Sequence, residues 1–247
     1  MPLVEKVAFS PFGDIETLRT KIDSDTAFVI MEPIQGESGI NVAPDGFLQD
    51  VRKLCDERGI LLIFDEIQAG LGRTGKMWAC DHWNTTPDII CLAKGIAGGV
   101  PMSATLTRPD ILAAMSKGEH SSTFGGNPLS CAAGIATIQA LTQDGLVDNA
   151  AKVGKFFMHG LEKLKEKHSI IREVRGKGMM IGVEMKFEVK DILLDGIQEG
   201  VLLLYSGRNI LRFLPPLVMT EAEITKVLEI LDKLFTKESE RRKNVQG

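Results

Sequence analysis

The stretch LLIFDEIQAGLGRTGKM, residues 61–77, joins an apolar run to an acidic pair and then to a glycine-rich segment. Its first part, Leu61–Phe64, is short, apolar and free of helix or strand breakers, which is typical of a strand buried in a sheet. The whole predicted strand is Gly59–Phe64, and Asp65 ends it. We therefore predict that Asp65 stands at the carboxyl end of a buried strand, where parallel α/β sheets bind their ligands.

Strand and helix patterns alternate on both sides of this stretch. Thr26–Met31 precedes it as another apolar strand, and Pro44–Arg58 carries apolar residues at helical spacing. Further strands are predicted at Pro87–Ala93, which ends immediately before Lys94, and at Met102–Thr107. This order, with nearly continuous apolar strands, predicts an α/β fold with a mostly parallel sheet flanked by helices.

The pattern changes after about residue 144. Helices are predicted over Asn127–Leu141 and Leu146–Lys167, and several shorter elements follow them. These are strands at Ile170–Val174, Met179–Met185, Val201–Tyr205 and Ile210–Leu214, and helices near Asp191–Gln198 and Glu221–Phe235. We predict a partial large domain over residues 1–144 and a smaller C-terminal α+β domain over residues 145–247.

Composition argues against several classes of protein. The 247 residues carry a formal net charge of −4 and no basic cluster, so nothing attracts the chain to nucleic acid. No apolar run approaches the ~20 residues of a membrane-spanning helix. The start, MPLVEKVAFSPFG, lacks the apolar core of a secretion signal. We expect a cytoplasmic protein that binds neither nucleic acid nor membranes.

The cysteines and the charged end of the chain suggest no special chemistry. Cys55, Cys80, Cys91 and Cys131 form no C-x-x-C pair and have no histidine at zinc-ligand spacing. We expect buried free thiols and no metal site. The mixed-charge segment Glu238–Lys243 is interpreted as a solvated, fraying tail.

The glycine-rich part of the opening stretch is similar to a nucleotide-binding loop. Gly70–Lys76 fits the pattern G-x-x-x-x-G-K, but Met77 stands where a P-loop has the Ser or Thr that binds magnesium. Asp65 and Glu66 also lie on the same connection as the glycines, whereas the metal-binding acid of an ATPase ends a separate strand. A P-loop ATPase is therefore disfavoured.

Asp65 and Lys94 are both predicted at the carboxyl ends of buried strands. Small residues follow Lys94 in the segment Gly95–Gly99, and they would let a ring approach the backbone. A carboxylate and an amine at two strand ends are what pyridoxal phosphate requires: the acid keeps the pyridine nitrogen protonated, and the amine forms a Schiff base. Taken alone, Lys94 is also compatible with a solvated lysine after a strand.

Five ordered segments of the chain carry a family resemblance. They are Glu32–Glu37 (EPIQGE), Phe64–Gly75, Pro87–Gly95, Ser122–Asn127 (STFGGN) and Leu211–Pro216 (LRFLPP). In this order and spacing they resemble class III aminotransferases of pyridoxal-phosphate fold type I, over nearly the whole chain. The resemblance implies a transaminase that uses pyridoxal 5'-phosphate, and under it Gly70–Gly75 becomes a structural turn.

The resemblance assigns cofactor-binding roles to four residues. Asp65 resembles the acid that pairs with the pyridinium nitrogen, and Lys94 the lysine that forms the Schiff base and then acts as general base. Gln68 is similar to the glutamine that contacts the ring hydroxyl. Thr123 resembles the residue that reaches the cofactor phosphate from a neighbouring subunit, which implies a homodimer with shared active sites.

Two further residues are assigned to the substrate. Arg212 resembles the arginine that grips the α-carboxylate, for which a planar bidentate donor is suited. Glu37 resembles the acid that pairs with this arginine and admits substrates with a distal amine. Taken alone, Arg212 is also compatible with a strand-end ion pair, and Glu37 with a loop cap. Arg175–Gly178 is familiar from the family too, and we interpret it as a strand-connecting turn.

Within the family, the tail segments favour one group of substrates. Leu202–Gly207 and Leu211–Pro216 look most like acetylornithine and related ornithine- or lysine-pathway enzymes. That implies transfer of an ω-amino group to 2-oxoglutarate by a ping-pong Schiff-base mechanism, in arginine or lysine biosynthesis. Gly75–Trp78 and His82–Trp83 resemble 4-aminobutyrate aminotransferases instead, so that reading stays open.

The resemblance begins near Asp14–Leu18, and no Ser-Gly-Thr-Glu-type phosphate loop precedes it. We therefore expect the C-terminal part of the family's fold, without its N-terminal segment. Three explanations are open: a truncated or misassigned reading frame, one half of a split enzyme whose partner polypeptide carries the missing half, or a catalytically inactive scaffold that retains the dimer surface.

Overall fold

The structure, a computed structural model, describes residues 5–246. The strands are β1 (Phe28–Met31), β2 (Ile34–Gln35), β3 (Asn41–Val42), β4 (Leu61–Asp65), β5 (Ile89–Leu92), β6 (Ala104–Thr107), β7 (Ile171–Lys177), β8 (Met180–Met185), β9 (Leu204–Ser206) and β10 (Ile210–Phe213). The α-helices are α1 (Ile15–Lys21), α2 (Phe47–Arg58), α3 (Pro109–Leu112), α4 (Pro128–Gln143), α5 (Leu146–Lys167), α6 (Lys190–Gln198) and α7 (Glu221–Gln246). Short 3-10 helices cover Ala79–Trp83 and Lys94–Ala97.

The first sheet has the strand order β1-β4-β5-β6. β1, β4 and β5 are parallel, and β6 closes the edge antiparallel to β5. The register pairs Asp65 of β4 with Cys91 of β5, so the carboxyl ends of these two strands lie at one edge. This mixed, mostly parallel sheet confirms the predicted α/β class.

Helix α2 covers one face of the first sheet. Its apolar side chains, among them Leu48, Val51 and Leu54, are fully buried against Leu62 and Phe64 of β4. The helix ends at Gly59, whose φ of +66° is the left-handed conformation that favours glycine at a helix end. Since side chains alternate along a strand, Leu61, Ile63 and Asp65 project to the opposite face.

That opposite face remains apolar and partly accessible. Phe28 and Ile30 of β1 are 49% and 56% exposed, and the register places them beside Leu61 and Ile63. We refer to Phe28, Ile30, Leu61 and Ile63 as the open face. Accessible apolar surface of this kind marks contact with another element or molecule. Asp65 lies at the carboxyl end of the open face.

A buried carboxylate ties the amino-terminal end of β4 to its neighbours. Asp88, immediately before β5, accepts a hydrogen bond from the Leu62 amide at 2.7 Å and pairs with Arg52 at 2.8 Å and with Arg108. Burial opposes the ionisation of Asp88, but the Leu62 amide and the arginines outweigh it and hold its pKa below the ordinary value. Asp88 therefore remains ionised in the folded protein.

We expect Asp88→Asn to lower the free energy of unfolding by about 1.5–3 kcal/mol, because hydrogen bonds to a charged group are lost. A depressed folded-state pKa stabilises the protein above the unfolded-state pKa of about 3.9, and this contribution is lost as the pH falls through the folded-state value. The difference in the free energy of unfolding between wild type and Asp88→Asn is therefore fully present at pH 7 and becomes smaller below about pH 4.

Urea unfolding followed by circular dichroism measures this difference. Asp56→Asn, which removes the exposed partner of the same Arg52 at 2.7 Å, serves as the control and should cost no more than about 1 kcal/mol.

The second sheet has the order β7-β8-β10-β9 and is antiparallel throughout. Helices α5 and α7 pack on it through a core that includes Phe157, Leu161, Leu231 and Phe235. The predicted strands and helices of this half are present, although β9 covers Leu204–Ser206 and not Val201–Tyr205. We propose residue 144 as the domain boundary, because α5 packs against the second sheet.

The prediction of a fraying tail at Glu238–Lys243 is wrong. Helix α7 continues to Gln246, and Glu238 is only 1% exposed. The reason is helical spacing, which brings Arg241 and Arg242 onto the side of Glu238, with Arg242 Nε 2.7 Å from its carboxylate. Arg242 also stacks over the Phe187 ring at 3.3 Å.

The four cysteines are free thiols; Cys55 and Cys80 are buried, and Cys91 and Cys131 are half-buried. Over residues 5–246, no group of three or more His, Cys, Asp or Glu residues is arranged to hold a metal ion. Within the same range, no helix combines the length and apolarity needed to cross a membrane.

Candidate active site

Neighbouring strand ends place Asp65 and Lys94 at the same edge of the first sheet. Asp65 is the last residue of β4, half-buried, and its Oδ1 accepts a hydrogen bond from the Ile67 amide at 2.9 Å. Lys94 follows the end of β5 and opens a 3-10 helix with a φ of +49°. A non-glycine residue in this left-handed conformation stores strain, which concentrates at functional sites.

Glu32 is a third charged residue at this edge, and no role was predicted for it. It follows β1 as Asp65 ends β4, and it accepts a hydrogen bond from the Gly36 amide at 2.9 Å. Burial raises the pKa of Glu32 above its ordinary value, and the charges of Asp65 and Lys94 both act on it. Its place immediately after the predicted strand Thr26–Met31 was the signal available in the sequence.

Three of the predicted residues meet where the two sheets approach each other. Gln68 Nε2 donates to Glu37 Oε1 at 3.0 Å, and Arg212 Nη1 lies 2.8 Å from the same oxygen. Arg212 also donates to the Gly36 carbonyl at 3.2 Å. The hydrogen bonds from Arg212 and Gln68 hold the pKa of Glu37 below its ordinary value. The structure thus joins a residue of the second sheet to two residues of the first half.

One edge of the Arg212 guanidinium is left without a partner. The side chain is 11% exposed, and its Nε is buried with no hydrogen-bond acceptor among the residues that the structure describes. A buried donor without a partner calls for explanation, and a planar carboxylate would supply two acceptors. A bound carboxylate is one group that would satisfy this donor.

Lys94 also faces a cavity of about 630 Å³. The cavity is formed by the Lys94 turn, the segment leading to β6 and the loop before α4, and it is lined in part by Ser103, Ser122, Phe124, Asn127 and Ser130. Thr123 is exposed in this loop, between two lining residues. Among residues 5–246, hydrogen bonds and ion pairs join only Glu37, Gln68 and Arg212 of the six predicted residues; Lys94 and Thr123 lie at this cavity instead, and Asp65 lies at the neighbouring strand end.

Two charged residues of the P-loop-like stretch, Glu66 and Arg73, have structural roles. Glu66 is fully buried, and its carboxylate accepts the amides of Ala79 at 2.7 Å and Cys80 at 2.8 Å. Arg73 donates to the carbonyls of Met179, at 3.3 Å, and Pro215. Burial lowers the pKa of Arg73 to about 10. Both side chains are committed to the backbone, so neither is available for a phosphate or a metal ion.

The donor set fits pyridoxal 5'-phosphate. An amine and a carboxylate at the ends of adjacent parallel strands supply the two groups that the ring requires, and a glutamine lies three residues beyond the carboxylate. Asp65 and Gln68 would hold the ring, Lys94 would bind it covalently, and Arg212 would face a substrate carboxylate.

The sequence matches the family model described as Aminotransferase class-III over residues 7–235. The acetylornithine aminotransferase of Caldanaerobacter subterraneus subsp. tengcongensis is 44% identical over 236 residues, which cover 95% of this chain and 60% of that protein. The ornithine aminotransferase 1 of Staphylococcus saprophyticus is 43% identical over 237 residues, covering 96% and 60%.

Solved structures give the same picture. The ornithine aminotransferase from Toxoplasma gondii ME49 superposes with a TM-score of 0.94 at 35% identity, covering 98% of this chain and 59% of that chain. An acetylornithine aminotransferase from Elizabethkingia anophelis gives a TM-score of 0.88 at 36% identity, covering 92% and 59%. The chain spans about 60% of the length of the curated relatives.

Proposed function

This chain belongs to the class III aminotransferases, and we propose that it takes part in moving the ω-amino group of acetylornithine or a related basic amino acid to 2-oxoglutarate. The observation that carries the proposal is the position of Asp65 and Lys94 at the ends of β4 and β5. The names of the relatives support the substrate class, since they are acetylornithine and ornithine aminotransferases at 41–44% identity.

The proposed cofactor is pyridoxal 5'-phosphate, which supplies a ring that accepts the electron pair of the breaking Cα–H bond. The Asp65 carboxylate keeps a proton on the pyridine nitrogen, and Gln68 donates to the ring oxygen. The Lys94 ε-amine would hold the cofactor covalently and would also be the base that takes the proton from the substrate carbon. Thr123 would bind the phosphate of the cofactor held in a neighbouring subunit.

Arg212 and Glu37 are proposed to select the substrate. The unpaired Nε edge of Arg212 receives the carboxylate of the amino donor. Glu37 neutralises the remaining charge of Arg212 through the 2.8 Å contact, so that a donor with a distal amine is accepted. The two half-reactions use the site in turn, first for the amino donor and then for 2-oxoglutarate.

The whole protein is proposed to be a cytoplasmic homodimer of arginine or lysine biosynthesis. Two features support shared sites: Thr123 is exposed and is not bonded to Glu37, Gln68 or Arg212 among the described residues, and Phe124 beside it is 81% exposed. We infer a second contact surface at the open face. The relatives are longer than this chain, which spans 60% of the first of them, and the additional part of their fold would cover the open face. Asp65 lies beside this surface.

The 4-aminobutyrate alternative has less support. His82 bonds to the Thr74 carbonyl at 3.0 Å, and the Trp83 indole donates to the Pro44 carbonyl at 3.3 Å. His82 is half-buried and Trp83 lies in the core beside helix α2, and neither bonds to Glu37, Gln68 or Arg212 among the described residues. An inactive scaffold remains the alternative from another class.

Visible absorbance of the purified chain with added pyridoxal 5'-phosphate tests the proposal. We expect a cofactor band that bleaches with acetylornithine or ornithine and returns with 2-oxoglutarate, while glutamate appears in equal amount by chromatography. The band should not bleach with 4-aminobutyrate. A chain that stays colourless would mean that this chain alone is not an enzyme, and bleaching by 4-aminobutyrate alone would reverse the substrate assignment.

A further inference from the structure

Residues 36–40, here called the Glu37 loop, connect β2 to β3 and carry Glu37 at their tip. Three residues of the second sheet hold the main chain of this loop: Arg212, which donates to the Gly36 carbonyl at 3.2 Å, and the two side chains that follow. The Ser206 hydroxyl donates to the Glu37 carbonyl oxygen, and Arg175 Nε donates to the Gly39 carbonyl at 2.9 Å. Neither side chain bonds to the Glu37 carboxylate among the contacts that the structure describes.

We propose that Ser206 and Arg175 are positioning residues: they fix the backbone of the Glu37 loop so that the Glu37 carboxylate stays against Arg212. The inference rests on the proposed function, in which Arg212 receives the donor carboxylate. It assigns to Ser206 and Arg175 an effect on substrate specificity that acts through Glu37.

The ion pair needs such support because it is exposed on one side. Glu37 is 68% exposed at its side chain, and exposed ion pairs contribute little, since holding two flexible side chains together costs entropy. The pair persists only if the backbone already places the carboxylate within reach of Arg212. A fixed loop provides that placement.

The loop adopts a conformation that would relax without restraint. Ile40 has a φ of +57°, unfavourable for a β-branched residue. Gly39 has a φ of +118°, and a Cβ at this position would lie 2.5 Å from Ile210 Cδ1. A Cβ on Gly36 would lie 2.8 Å from the Gln68 side chain. The loop is therefore both strained and enclosed, and its position depends on the contacts from the two sheets.

Arg175 is itself held firmly enough to serve as an anchor. Its Nη1 lies 2.8 Å from both Glu184 and Glu173, and it is 15% exposed. The interpretation of Arg175–Gly178 as a turn is wrong for its first three residues, which lie inside β7; of the four, only Gly178 belongs to the turn that leads to β8. Pairing with β8 places Arg175 opposite Gly182, a glycine that leaves room beside the Glu37 loop.

The test uses Ser206→Ala, with Ser206→Thr as the variant that keeps the hydroxyl. Ser239→Ala is the matched control, because Ser239 donates to a backbone carbonyl, that of Phe235, at 2.7 Å in α7. The readout is the titration of the Glu37 carboxyl by carbon-13 NMR of labelled glutamate, with Glu37→Gln identifying the resonance. Arg212 and Lys94 are the charged groups that lower the pKa of Glu37, and the Glu37 charge in turn acts on Glu32.

We expect the pKa of Glu37 to rise toward its ordinary value in Ser206→Ala and to stay depressed in Ser206→Thr and Ser239→Ala. Hydrogen exchange in the β2–β3 hairpin should become about tenfold faster in Ser206→Ala, the scale expected for loss of one hydrogen bond. A purely structural role for Ser206 would lower stability without moving the Glu37 titration.

Arg175→Met provides the second measurement, with Arg172→Met as its control. Arg172 binds the same Glu184, at 2.7 Å, but no hydrogen bond joins it to the Glu37 loop among the described residues. Only Arg175→Met should raise the pKa of Glu37. Folded Ser206→Ala and Arg175→Met proteins with an unchanged Glu37 titration would overturn the proposal. Because no cofactor is needed, this outcome is distinct from a chain that fails to bind pyridoxal 5'-phosphate.

Discussion

Lys94→Ala should remove the visible cofactor band and lower aminotransfer by about 10²–10⁴-fold, the range attributed to a positioned general acid–base group. Most of this expected loss follows from the position of the Lys94 amine. Lys94 supplies an amine just after the end of β5, beside the Asp65 strand end, and it lines the adjoining cavity. An alanine at this position offers neither the covalent bond nor the base.

Absorbance of Lys94→Ala and of wild type, at the same concentration of pyridoxal 5'-phosphate, measures the loss of the cofactor band. Single-turnover formation of glutamate measures the loss of aminotransfer. Lys76→Ala is the control, since Lys76 is an exposed lysine of the glycine-rich segment and should leave both unchanged. A Lys94→Ala protein that kept a full band would mean that a different lysine binds the cofactor.

Asp65→Asn should lower the turnover number by about 10²–10³-fold, the scale seen when one preorganised electrostatic group is removed. An amide is nearly the same size as the carboxylate and can keep the 2.9 Å hydrogen bond from the Ile67 amide. It cannot keep a proton on the pyridine nitrogen by its charge. The cofactor should therefore still bind covalently through Lys94 while the proton transfer slows.

Comparison of band intensity with single-turnover rate separates these two effects. Asp81→Asn, a neighbouring acid that accepts the Trp78 amide at 3.2 Å, is the control and should leave the rate unchanged. If Asp65→Asn reduced the band and the rate equally, Asp65 would serve cofactor binding and not the chemical step.

The central part of the site was predictable because strand ends can be read from local pattern. The apolar runs before Asp65 and Lys94 match β4 and β5 closely, and parallel pairing brings their ends together. Family resemblance supplied fold type I, and the structural neighbours are aminotransferases of that kind. It also supplied the pairing of Glu37 with Arg212, which no local pattern could indicate. The roles of these residues stay predictions.

The sequence did not reveal three features because they depend on tertiary contacts. Glu32 belongs to the motif EPIQGE, but only the structure shows that it is partly buried near Asp65. The β2–β3 hairpin has strands of two residues each, too short for a periodic signal. Glu238 was assigned to a solvated tail because its neighbours are charged, whereas arginines on the same side of the helix allow it to be buried.

Local pattern was sufficient for the fold class, the main helices and strands, and the placement of Asp65 and Lys94, because each depends on hydrophobic periodicity within a short window. Tertiary packing decided the rest. The Glu37 loop reaches Arg212 only when the second sheet approaches the first, through the contacts of Ser206 and Arg175. Such contacts join residues far apart in the chain, and their energies depend on burial and direction that no sequence window contains.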